Sequence, residues 1–88
     1  ENFAVVEEYG SCNGNLFSFY RINADQRLLQ VSFSTSEDGR IFASKFESIT
    51  FNSESGELKV TYYDNSLAQE RSDTYIYSEK NNSFALSS

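Results

Sequence analysis

The sequence contains no histidine, methionine, tryptophan or proline, and its one cysteine is Cys12. Without histidine, the Ser–His and Cys–His pairings that activate a nucleophile cannot be built, and the commonest general base is missing. Imidazole metal sites are excluded as well, and one thiol cannot supply a zinc thiolate cluster. A single cysteine also rules out an internal disulfide. Cys12 stands beside Asn13-Gly14 with no Lys, Arg or His next to it to depress its pKa. An incidental or structural thiol is therefore expected. The missing Met is read as processing or excision, so the expectation is a mature secreted or periplasmic chain, or a domain cut from a larger protein.

Cationic residues are also scarce. Seven Lys and Arg stand against thirteen Asp and Glu, for a net charge of −6. Nucleic-acid binding needs a basic footprint, which these residues do not form, so a nucleic-acid partner is excluded. An anionic membrane surface repels such a chain, and no run is long and apolar enough to insert into a bilayer. A basic protein would be steered toward it. The plainer reading of the charge is solubility alone.

What the chain does have is aromatic bulk: eight Phe and six Tyr in 88 residues. That length makes one domain, residues 1–88, with a small core to which large rings contribute most of the buried area. Turn signals punctuate it: Asn13-Gly14, Asn23 to Gln26, Glu37-Asp38-Gly39, Ser53 to Gly56, Asp64-Asn65-Ser66 and Lys80-Asn81-Asn82. Runs of Phe, Tyr, Val, Ile, Thr and Ser lie between them and alternate with period two, as in Leu29-Gln30-Val31-Ser32-Phe33 and Leu58 to Tyr62. The expected fold is all-β: an antiparallel meander of about seven strands, curled into a barrel or sandwich. The strands are placed at 2–10, 15–22, 27–35, 40–51, 57–64, 73–79 and 83–87. The long run from Arg40 to Phe51 changes phase, which predicts a bulge or bend near Ser48. At most one short helical turn is expected, over 66–71, where Ser66 and Gln69 have capping-box spacing. With no proline to guard strand edges, ionic residues such as Glu7, Glu8, Lys59 and Lys80 are the available guards.

Carboxylates are the only catalytic groups in supply. A glycosidase needs two of them set across a cleft. Nothing in the sequence pairs Glu7, Glu8, Glu47, Glu57, Asp64, Glu70 or Asp73 in that way, and solvated side chains are expected. Asp64-Asn65-Ser66 opens like an oxygen-ligand loop but lacks the later Gly and Glu of a calcium hand. No enzyme activity, cofactor or metal is therefore expected.

The segment from Tyr62 to Tyr77 carries the recognition reading. If Tyr62 faces the core with Leu58 and Val60, Tyr63 faces out. On the next strand, either Ile76 or the pair Tyr75 and Tyr77 takes the core face. With Ile76 inside, Tyr63, Tyr75 and Tyr77 share an exposed patch with Asp64, Glu70 and Asp73, and tyrosine binds well in such places. With the tyrosines inside, they are sheet formers. The expected function is a non-enzymatic protein-binding module of the inhibitor, immunity or adaptor type, with a protein partner such as a basic enzyme. The alternatives are a small barrel holding an apolar ligand among Phe17, Phe19, Val31, Phe33, Phe42, Phe46, Val60 and Phe84, and an accessory carbohydrate-binding domain.

Overall fold

A computed structural model describes residues 3–11 and 13–87. Cys12 lies outside the described residues. Among the described residues nine strands form: β1 (Phe3–Ser11), β2 (Gly14–Ile22), β3 (Leu28–Gln30), β4 (Ser32–Phe33), β5 (Arg40–Ala43), β6 (Ile49–Asn52), β7 (Glu57–Asp64), β8 (Gln69–Ser78) and β9 (Ser83–Leu86). They make two sheets around one core. In the first, β2 is flanked by β1 on one side and by β3 and β5, end to end, on the other. The second has the order β4-β9-β8-β7-β6. Neighbours in sequence mostly pair antiparallel, as in a meander, but β4 pairs with β9 in parallel. The sheets do not close into a barrel.

Two sequence-expected strands each divide where the chain passes between sheets. The run placed at 27–35 breaks at Val31. Its N–H donates to the Phe19 carbonyl of the first sheet (2.8 Å), while the next amide, Ser32, donates to Asn82 beside the second (3.2 Å). The run placed at 40–51 breaks at a 3₁₀ turn over Phe46–Ser48. This is the phase change expected near Ser48. It is more than a bulge, because three residues of turn carry the chain from β5 to β6.

The helical turn expected over 66–71 does not form. Ser66 instead closes a turn on Asp64, donating both its amide (2.9 Å) and its hydroxyl (2.6 Å) to that carboxylate. Ala68 is in the left-handed region (φ 51°), which closes a hairpin and returns the chain directly into β8. Strand β8 therefore begins at Gln69 and pairs with β7 along the full length of that strand. Gly39 (φ 74°) shows the same economy in the β4–β5 loop, where a Cβ would meet the Gln30 amide nitrogen at 2.6 Å.

The core joins Phe17, Phe19, Val31, Ile41 and Ala43 from the first sheet and its crossover to Phe33, Leu58, Val60, Tyr75 and Phe84 from the second. Phe84 is its hub. Its ring stacks on Phe33 at 5.1 Å and meets Phe19 and Phe51 edge-on. Phe3 reaches across from β1 to pack edge-on against Phe51 and Tyr77. Such tilted ring pairs exceed their area burial by about 0.5–1.5 kcal/mol each. Of the rings expected to line an apolar cavity, Phe46 is exposed, and Phe42 is half-buried opposite Leu16. Phe19, Phe33 and Phe84 pack against one another, and the Phe17 ring lies 6.4 Å from that of Phe46.

Candidate functional site

Antiparallel residues directly opposite each other share a face of the sheet. In the β7–β8 ladder Leu58 faces Tyr75, Val60 faces Asp73, and Tyr62 faces Arg71. Leu58 and Val60 are buried, so Tyr75 and Asp73 are drawn to the inner face with them. Ile76 is opposite Glu57 and Ala85 and points out, 38% exposed. Of the two arrangements compatible with the sequence, the tyrosines are inside.

The six expected contact residues therefore do not form one patch. Tyr75 is 4% exposed, its ring edge-on to Phe33 at 5.3 Å and its hydroxyl 2.9 Å from that of Thr35. Tyr77 packs against the core at the far end of β8. Its hydroxyl donates to Asn82 (2.7 Å) and accepts from Arg21 (3.4 Å). The shared surface of Tyr63, Tyr75 and Tyr77 is thus corrected, because the pairing of β7 with β8 fixes the parity that the sequence left open. Tyr63 does face out, beside Glu70 on the neighbouring strand. Asp64 closes its own hairpin, accepting from the Ser66 amide (2.9 Å) and hydroxyl (2.6 Å), and lies 3.7 Å from Arg71. The Ser66 hydroxyl is the main reason its carboxyl is held below the usual range.

The remaining residue, Asp73, meets Tyr75 at the seam between the sheets. There β5 and the β4–β5 loop approach the inner face of β7 and β8, and the Ser44 amide donates to the Thr61 carbonyl (3.1 Å). A pocket of about 210 Å³ opens at this seam. Ile41, Phe42 and Val60 give it apolar walls, and Thr35, Ser36, Arg40, Tyr62, Asp73 and Tyr75 bring polar groups to it. Burial pushes the Tyr62 phenol up, and the negative charge of Asp73 pushes it further.

Arg40 does not neutralise Asp73. Its guanidinium is held by Asp38 through Nε (3.0 Å) and Nη2 (2.7 Å), and it lies 3.4 Å from Glu8. Asp38 also accepts from the Ser36 hydroxyl (2.6 Å) and the Arg40 amide (3.1 Å). These bonds, Ser36 first, hold its carboxyl far below the usual range. The seam thus presents one carboxylate, two phenols and two hydroxyls beside an arginine already engaged. Among the described residues, no three His, Cys, Asp or Glu side chains gather to hold a metal ion.

Sequence reasoning named Asp73 and Tyr75 but missed Tyr62, Thr35, Ser36 and Arg40. The inward parity of Tyr62 with Leu58 and Val60 was legible. That β5 would lie against it was not. Comparison with protein-family models, curated proteins and solved structures finds no match to this chain.

Proposed function

We propose that this chain is a non-enzymatic protein-binding domain of the inhibitor, immunity or adaptor kind, and that its seam pocket receives a cationic side chain of a basic partner. The observation that supports this is the Asp73 carboxylate, which lines one pocket with Tyr62 and Tyr75 and with the apolar Val60 and Ile41. Aromatic faces and a carboxylate together suit an ammonium or guanidinium group. The pocket is smaller than the roughly 300–1,000 Å³ typical of small-molecule sites, and one side chain is a better match to it. The net charge of −6 adds long-range attraction for such a partner.

The test is a titration with a basic protein such as a lysozyme or a ribonuclease, followed by nuclear magnetic resonance. The wild type should show shifts concentrated at Thr35, Tyr62, Asp73 and Tyr75, weakened by salt and by Asp73→Asn. Shifts spread evenly over all acidic residues, unchanged in Asp73→Asn, would reduce the interaction to unspecific charge attraction and remove the seam as the site.

A further inference from the structure

Among the described residues five strands pair along one edge only, and they are not alike. Strand β3 has three residues, β4 two, and β5 and β6 four each, but β1 has nine and pairs only with β2. Short edges offer little to a partner, whereas a long one is a template for another strand. Residues 6–11 of β1 are all exposed.

The direction of the free backbone groups follows from one hydrogen bond. The Phe19 carbonyl accepts from Val31, so Phe19 turns its backbone groups away from β1. In an antiparallel ladder the N–H and C=O of one residue point the same way, and successive residues alternate. Phe19 is opposite Val5 in the β1–β2 register. Hence Ala4, Val6 and Glu8 bond to β2, while Val5 and Glu7 direct both backbone groups outward to the open edge.

Glu7 and Glu8 are consecutive, so their carboxylates lie on opposite faces of that edge. Glu7 accepts from the Asn15 amide (2.6 Å), and Glu8 is the more distant of the two acids around Arg40. Val6, 47% exposed, flanks them. A second copy pairing through the same exposed half would bring two pairs of these acids against one seam, which like-charge repulsion opposes. A strand with two consecutive Lys or Arg residues would instead meet both acids, one on each face.

We propose that the free edge of β1 accepts an extended peptide as an added strand, with two consecutive cationic side chains opposite Glu7 and Glu8 and an apolar one opposite Val6. Main-chain bonds to Val5 and Glu7 would supply affinity, and the two acids would supply selection. This surface is separate from the seam pocket and does not depend on it.

The probe is the capped hexapeptide Thr-Val-Lys-Lys-Val-Thr, titrated into the whole chain with amide hydrogen exchange as the readout. The Val5 and Glu7 amides should gain protection while those of Val6 and Glu8 stay as they were. The same peptide N-methylated at alternate residues, or with Glu-Glu for Lys-Lys, should give no protection. Glu7→Gln and Glu8→Gln together should weaken binding by roughly twofold to thirtyfold, the range for two exposed ion pairs. Asp73→Asn should leave it unchanged, which separates this edge from the seam. The proposal is overturned if the peptide at millimolar concentration leaves Val5 and Glu7 unprotected, or if the N-methylated peptide binds equally well. Protection of the same amides without peptide, accompanied by dimers in sedimentation, would overturn it too and give the edge to a second copy.

Discussion

Truncating Tyr75 tests the inward placement of the β8 tyrosines most directly. The ring is 4% exposed, edge-on to Phe33, with its hydroxyl 2.9 Å from that of Thr35. Removing a buried aromatic side chain costs about 3–5 kcal/mol, because transfer free energy is lost and a cavity remains. A chain of this size has roughly 4–13 kcal/mol of stability in total. Tyr75→Ala should therefore lose much of it, with a fall of at least ~12 °C in Tm at about 4 °C per kcal/mol. Tyr75→Phe keeps the ring and removes only the hydroxyl. Thr35 is exposed and can bond to water instead, so the expected loss is about 0.5–1.5 kcal/mol. Tyr63→Ala on the outer face should stay within about 1 kcal/mol of wild type. Urea unfolding of the three variants, with the slope checked for constancy, gives the ordering. Equal losses for Tyr75→Ala and Tyr63→Ala, both under 1 kcal/mol, would put the Tyr75 ring outside the core and refute the β7–β8 register argument.

Ile76→Thr should be nearly silent, within about 0.5 kcal/mol, since Ile76 points to solvent despite its type; a urea-measured loss above about 2 kcal/mol would place it in the core. The depressed Asp38 carboxyl contributes stability that is present above the ordinary carboxylate range, near pH 4, and is lost as pH falls through its lower folded value. Asp38→Asn should therefore flatten the acid limb of the stability curve, and an unchanged limb in acid-unfolding experiments would show the Asp38–Ser36–Arg40 cluster to be slack. The raised Tyr62 phenol has the opposite sign: its contribution is whole below its unfolded value near pH 10 and fades as pH rises through the folded one. In absorbance titration at about 295 nm, Tyr62→Phe should remove a late-ionising step, and Asp73→Asn should move that step to lower pH.

Much of the fold is legible in local chemistry. The turn residues stand where the chain reverses: Asn13-Gly14 between β1 and β2, Gly39 before β5, Gly56 before β7 and Asn82, at φ 49°, before β9. The strand expected at 57–64 matches β7 to the residue. The phase change near Ser48 marks a true break in the chain path. These features depend on neighbours within a few positions, where alternation and backbone preference act. The supposed helical turn at 66–71 misled because capping-box spacing says nothing of strand pairing, which sets Gln69 opposite Asp64 and Glu70 opposite Tyr63.

Composition by itself determined the acidic charge, the lack of imidazole chemistry and the strand-rich pattern, since these depend only on which residues are present and in what local order. Tertiary structure decided which face each ambiguous strand presents. Tyr75-Ile76-Tyr77 alternates equally well in either phase, and its pairing with Leu58 selected one of them. It also decided that Val31 would carry the chain from one sheet to the other, and that Arg40, Tyr62 and Asp73 would meet at a seam although Arg40 lies more than twenty residues before Tyr62. Strand pairing is a long-range choice, settled by which packing buries the most ring surface, and a linear alternation pattern does not contain that sum.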